Sequence, residues 1–157
     1  MVVPLPEDAM TAWVFGKLPA HGDFVARGMD AATRGTLDDW LADALATARA
    51  RFPGDFDVRF DMAQAWRATG EGVAGAVAAS QDAVGRRFPV LLLADDAQLD
   101  PAACEDLLYA AITEGWDVDR LAAAGAAPRG VVTRWSGAQG QGLDGPHPAE
   151  LIVEMLA

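Results

Sequence analysis

Two apolar runs in the middle of the chain, residues 73–79 and Phe88 to Ala94, are separated by only eight residues, Ser80 to Arg87. Parallel neighbours need a crossover of a dozen or more residues, so strands formed by these runs can pair only antiparallel. The first run, Val-Ala-Gly-Ala-Val-Ala-Ala, is small and follows Gly70 and Gly72, and those flanking glycines favour strand over helix. The second is continuously apolar, the pattern of a central strand covered on both faces.

The remaining pattern builds outward from that pair. Residues 12–18 predict a first strand ended by Pro19, and Gly16 to Gly28 an ordered loop. Leu37, Trp40, Leu41, Ala44, Leu45, Ala48 and Phe52 recur at helical spacing; Thr36 is the expected cap, and Pro53-Gly54 the stop. Val58, Phe60 and Met62 alternate with Arg59 and Asp61, which predicts a half-buried strand. Asp100 and Pro101 open a helix whose stripe is Cys104, Leu107, Leu108, Ala111 and Ile112, ending at Gly115. Asp117 caps a short helix ending at Gly125, Val131 to Trp135 is a last strand, and Gly137 to Gly145 is a glycine-rich loop. Pro148 opens a C-terminal helix with Leu151, Ile152, Met155 and Leu156 on one face. No repeat or linker divides the 157 residues. The expectation is one α+β domain over residues 1–157, with residues 1–10 a flexible N-terminal tail. Its mostly antiparallel central sheet has about five strands flanked by helices, with Trp40, Leu41, Phe60, Leu91, Leu108 and Ile112 in the core.

Composition narrows the function. With 52% hydrophobic residues the chain can fill a core, yet no apolar stretch is long enough to span a membrane. The N-terminus has no basic region followed by an apolar run, and the lone Cys104 reads as a small core residue, so the expected location is cytoplasmic. A net charge of −11 repels duplex nucleic acid and anionic lipid. Lys17 is the only lysine in an otherwise arginine-based set of cations.

Signatures of catalysis are missing. Gly16-Lys17 fails as a phosphate loop, because position 11 is threonine and position 18 leucine. No G-x-G-x-x-G follows a predicted strand, and no G-x-S-x-G is present. His21 and His147 stand far apart in sequence, each with acids nearby (Asp23; Asp144 and Glu150), too few for a ligand set. His21 reads as a polar loop residue and His147 as the residue before a helix start. The expectation is no catalytic residue, no metal and no cofactor.

Two stretches do stand out. Gly16-Lys17-Leu18-Pro19-Ala20-His21-Gly22-Asp23-Phe24 combines glycines, a proline and an aromatic, which implies a closely shaped backbone, with Asp23 able to accept amide hydrogens. Ser80-Gln81-Asp82-Ala83-Val84-Gly85-Arg86-Arg87-Phe88-Pro89 is a polar knot between two apolar strands. Ser80 and Asp82 are positioned to satisfy loop amides, and Arg86 to pair with Asp23 or Asp82.

Together these stretches resemble the TagF family, associated with bacterial type VI secretion. The resemblance lies in Gly-Lys-x-Pro-x-x-Gly-Asp-Phe at Gly16 to Phe24, the Trp40-Leu41 pair, and Ser-x-Asp-x-x-Gly-Arg-x-Phe-Pro at Ser80 to Pro89. It runs over roughly residues 12–157. It marks Gly16, Lys17, Pro19, Gly22, Asp23, Phe24, Ser80, Asp82, Gly85, Arg86, Phe88 and Pro89 as motif residues. What it implies is a post-translational repressor of type VI secretion, without catalysis, that binds a forkhead-associated-domain scaffold protein (Fha). Some family members carry a phosphatase domain; none is expected here, so a dephosphorylation step would belong to a separate phosphatase in the same pathway.

Read from the residues alone, a second class stays open: a nucleotide- or metabolite-binding domain, or an enzyme, with Lys17, Asp23, Asp82 and Arg86 around one cleft. Both readings require the motifs to meet. They differ in whether the meeting makes a satisfied polar cluster or an open pocket. Lys17 is expected at the surface as a contact residue, and Arg86 as the buried partner whose loss would unfold the domain.

Overall fold

The structure, a computed structural model, describes residues 11–157. The expected tail over residues 1–10 lies outside the described residues. Among them, seven strands form one sheet: β1 (Trp13–Gly16), β2 (Val25–Arg27), β3 (Trp66–Gly70), β4 (Val73–Ala78), β5 (Val90–Ala94), β6 (Arg134–Ser136) and β7 (Gly142–Asp144). Their order is β2-β1-β5-β4-β3-β6-β7, and every neighbouring pair is antiparallel. The helices are α1 (Ala31–Arg51), α2 (Phe56–Met62), α3 (Pro101–Glu114), α4 (Val118–Ala122) and α5 (Leu151–Leu156). None is long and apolar enough to cross a membrane.

The pleat sends alternate side chains of the central strands into two cores. Phe15, Val77, Leu91 and Leu93 join α1, α2 and α5 on one face. Val14, Ala76, Ala78, Val90 and Leu92 join α3 and α4 on the other. β4 and β5 are buried along their whole length, as their unbroken apolar runs require. The α+β class and antiparallel sheet follow the sequence pattern, but the strand number is seven rather than about five.

Four local readings change. Residues 56–62 are helix, not strand: Phe56 and Phe60, four apart, are buried and stacked at 5.5 Å. Val58 and Met62, which the alternation placed with Phe60, are exposed instead, and Arg59 reaches back one turn to Asp55 at 2.7 Å. The chain after that helix supplies β3, where Trp66 and Ala68 are buried while Arg67 and Thr69 are exposed. The loop from Gly16 to Gly28 contains β2, and the glycine-rich loop from Gly137 contains β7. α1 begins at its cap Asp30, whose carboxylate accepts from Thr33 N at 2.8 Å; Thr36 lies inside the helix and donates to Ala32 O.

Other signals act as expected. Asp100 caps α3 and Gly115 ends it in the left-handed region at φ 69°. Asp117 caps α4. The strand expected over Val131 to Trp135 departs from that reading: it is β6, Arg134–Ser136, with Val131 exposed and Trp135 buried, and β7 rather than β6 is the last strand. Ile112 is half-buried at the margin of α3, whereas the other five expected core residues are buried. Gly70, Gly72 and Gly75 do have G-x-G-x-x-G spacing, but Gly70 ends β3 and Gly75 lies within β4, so the spacing does not open a helix. No helix N-terminus is there to receive a phosphate, so the spacing makes a hairpin and not a dinucleotide loop.

Candidate functional site

β1 and β4 flank β5 and run antiparallel to it, so both their C-terminal ends lie at the N-terminal end of β5. The loop leaving β1 therefore meets the connection from β4 to β5, and the two sequence motifs become one site. Gly16 makes the junction. It pairs with Val25 on one side and Val90 on the other, at φ 134°. A Cβ there would collide with the Pro89 carbonyl, which instead accepts from Lys17 N at 3.3 Å. Gly85, at φ 87°, is the other motif glycine that needs its backbone freedom. Gly22 is not constrained in this way: its φ is not positive, and a Cβ at this position would meet nothing within 4 Å.

Asp82 is the hub. Its Oδ1 accepts from Val84 N and Arg86 N, each at 3.0 Å, so one carboxylate oxygen closes the turn. Its Oδ2 accepts from Arg86 Nε at 2.7 Å and lies 3.3 Å from Lys17 Nζ. The Asp82 side chain has no exposed surface. Burial pushes its carboxyl up, but the Arg86 amide and guanidinium, the Val84 amide and Lys17 together hold it down at about 2. It is a permanent anion at neutral pH, with its acceptor sites committed.

Lys17 and Arg86 exchange the places expected from sequence. Lys17 is 7% exposed, paired with Asp82 and 4.8 Å from the centroid of the Phe24 ring. Arg86 keeps 59% of its side chain exposed while its Nη2 donates to Gly22 O at 2.7 Å, tying the second loop to the first. The reason is reach: the lysine starts at a buried strand end, whereas the arginine starts on the turn itself. Of the two candidate acids, Asp82 takes Arg86. Asp23 is exposed and, among the described residues, accepts only from the adjacent Phe24 N, at 2.8 Å.

The apolar motif residues form the base. Phe88 is buried and meets Phe24 edge-on at 4.8 Å, with Phe15 at 6.2 Å from both. Pro89 leads into β5 and supplies the carbonyl that Lys17 N uses. Ser80 is buried, but contrary to expectation its hydroxyl satisfies no loop amide and has no hydrogen-bond partner among the described residues. Pro19 and Ser80 line a groove of about 410 Å³ with Phe60, Asp61, Ala79, Gln81 and Ile112. None of Lys17, Asp23, Asp82 and Arg86 lines that groove, so those four do not surround it as a cleft.

His21 has a larger part than its sequence position suggests. Its carbonyl accepts from Ala83 N at 2.7 Å, and its Nε2 accepts from Val118 N at 3.0 Å. It therefore joins both motif loops to the start of α4. Nothing local signals this, because Val118 lies 97 residues away. Arg87 has a part that the motif does not mark either: it pairs bidentately with Asp61 at 2.7 Å and reaches Asp57 at 3.4 Å, fastening the second motif to α2. His147 packs against Trp40 at 5.1 Å, on the other face of the sheet from His21's contact with α4. Among the described residues no group of three or more His, Cys, Asp or Glu is placed to hold a metal ion.

The fold is similar to that of PA0076 from Pseudomonas aeruginosa PAO1, known from a crystal structure. The TM-score is 0.71 over 94% of each chain, and at 21% identity the likeness is one of fold. No curated protein matches the chain. Residues 13–127 match the TagF N-terminal domain, described as type VI secretion system-associated. That span is shorter than the 12–157 expected from the motifs, and β6, β7 and α5 lie beyond it. It holds the Lys17–Asp82–Arg86 cluster and every other motif residue, and the chain belongs to the TagF N-terminal domain family.

Proposed function

We propose that this domain is a non-catalytic, post-translational negative regulator of a bacterial type VI secretion system, and that it acts in the cytoplasm by binding a forkhead-associated-domain scaffold component (Fha). The observation that carries the reading is membership of a family associated with that secretion system. The site geometry supports binding over catalysis. A carboxylate acting as general acid or base needs an open acceptor and a group poised to exchange protons near neutral pH. Asp82 has neither: both its oxygens are used internally, and its carboxyl stays near 2. What the ion pairs do is hold two loops in one shape, which is how a recognition surface is prepared.

The test uses the domain as bait in lysate of its native host, with secretion assayed in parallel. The forkhead-associated scaffold should be captured. Overproducing the domain should lower secretion while transcripts of the apparatus stay constant. Failure to capture the scaffold, or repression that follows transcript levels, would refute the reading. So would substrate turnover abolished by Asp82→Asn.

A further inference from the structure

Residues outside both motifs bound a second pocket, of about 250 Å³, on the face of the sheet that carries α1. The indoles of Trp13, Trp40 and Trp135 line it, and among the described residues none of its walls is Asp, Glu, Lys or Arg. Trp40 Nε1 donates to Pro148 O at 2.9 Å and Trp135 Nε1 to Pro146 O at 3.3 Å, so neither N–H is left for a ligand. Thr36 directs its hydroxyl to Ala32 O. Burial lowers the pKa of His147 from its ordinary value, which leaves an uncharged imidazole in the wall at neutral pH. What such walls hold is apolar. A cavity of about 150 Å³ takes a benzene ring, so there is room here for one or two aliphatic side chains. At the rim, Val131 is 67% exposed, an apolar side chain left to water beside the mouth.

The way the chain enters β1 says what can reach that mouth. Trp13, the first residue of β1, is a wall of the pocket, and Thr11 forms an antiparallel bridge with Ala126. Ala12 N donates to Gly125 O at 2.9 Å in the same pairing. Antiparallel partners run in opposite directions, so the chain ahead of Thr11 is aimed along the course of residues 127 onward. Gly130, Val131 and Val132, on that course, are pocket rim. The path from 126 to 132 is at most roughly 20–22 Å, and ten extended residues span about 33–36 Å, so the segment before Thr11 reaches the mouth with chain to spare.

The composition of that segment suits the walls. Val2-Val3-Pro4-Leu5-Pro6 is apolar and uncharged, and acids begin only at Glu7. Each proline disfavours the helical region for the residue before it, which sets Val3 and Leu5 toward extended or polyproline backbone. With three residues per turn, Val2 and Leu5 fall on one edge. Proline-flanked segments of this kind dock on aromatic-lined grooves, because their backbone is already ordered. We infer that residues 2–6 of this chain are the occupant of the three-indole pocket, crossing the Val131 rim with Leu5 inserted. The N-terminal segment is then a strap on the α1 face rather than the flexible tail expected from sequence. The contact is independent of the regulatory reading.

The experiment follows the indole N–H resonances of the five tryptophans by NMR in the full chain, in Leu5→Asp, in Glu7→Ala and in a chain starting at Thr11, each at two protein concentrations. In the full chain, nuclear Overhauser contacts are expected from the Leu5 methyls to the rings of Trp13, Trp40 or Trp135. Leu5→Asp and the truncation should shift those three indole resonances and leave Trp116, on the other face of the sheet, in place. Glu7→Ala should leave all five in place. Absence of Leu5 contacts to all three rings in the full chain overturns the strap, whatever the variants do. So do three indole resonances that ignore Leu5→Asp, or that move as far in Glu7→Ala. Resonances that move with protein concentration in the full chain would assign the pocket to a second copy and overturn the strap as well.

Discussion

Removing Lys17 takes away a cation that water barely reaches. Asp82 keeps Arg86 and two amides, so Lys17→Ala falls at the low end for a broken buried pair, about 3 kcal/mol. In a domain of this size that lowers the melting temperature by roughly 6–12 °C. Arg86 is mostly exposed, and Arg86→Ala should cost only about 1 kcal/mol. Differential scanning calorimetry on the two variants checks the order; Arg86→Ala melting below Lys17→Ala would show that the arginine is the main support. Asp82 also sets a pH window. Its carboxyl lies below its ordinary value of 3.8 in the folded chain, so its contribution is complete above about pH 4 and is lost as pH falls toward 2. The stability gap between wild type and Asp82→Asn, measured by urea titration, should be constant above about pH 4 and shrink from there toward pH 2. A gap that instead widened on acidification would contradict the assigned pairing.

At the scale of elements, the junction of β1 with β5 depends on the absence of a side chain at position 16. Gly16→Ala must relieve both a collision with the Pro89 carbonyl and a φ that alanine rarely adopts, at roughly 2–4 kcal/mol. Gly22→Ala, in the loop that leads into β2, meets open space and should stay within about 0.5 kcal/mol. Chemical denaturation of both variants separates a glycine required by the strand junction from one that is merely present in the same motif. The motif by itself treats these glycines alike, because the backbone angle and the neighbouring strand are not visible in a string of residues. A similar ambiguity covers residues 56–62. Phe56 and Phe60 at helical spacing, and Val58, Phe60 and Met62 in alternation, are both present; packing of the two rings against α1 and α5 selects the helix.

For the molecule as a whole, the family match ends at residue 127 but the core does not. Trp135, Leu151, Ile152, Val153, Met155 and Leu156 are all buried against α1 and the sheet. At about 1.5–3 kcal/mol per buried side chain, these six match the whole stability of an ordinary domain, about 5–15 kcal/mol. A chain ending at residue 127 should therefore be insoluble or lack dispersed amide resonances by NMR. A well-folded product would mean that the residues beyond 127 form a separable layer.

The sequence alone was enough for whatever depends on neighbours a few residues apart. Eight residues between two apolar runs forced an antiparallel pair, an apolar stripe made α1, and Asp100 and Gly115 bounded α3, because loop length, helical period and capping are local constraints. That the two motifs share one site was also legible, from their complementary charges. Tertiary structure alone decided which acid takes Arg86, that Lys17 is interior, and that His21 binds the start of α4. Burial and pairing of a charge depend on where β1, β4 and β5 bring distant loops, and that strand order is settled by the packing of the whole chain.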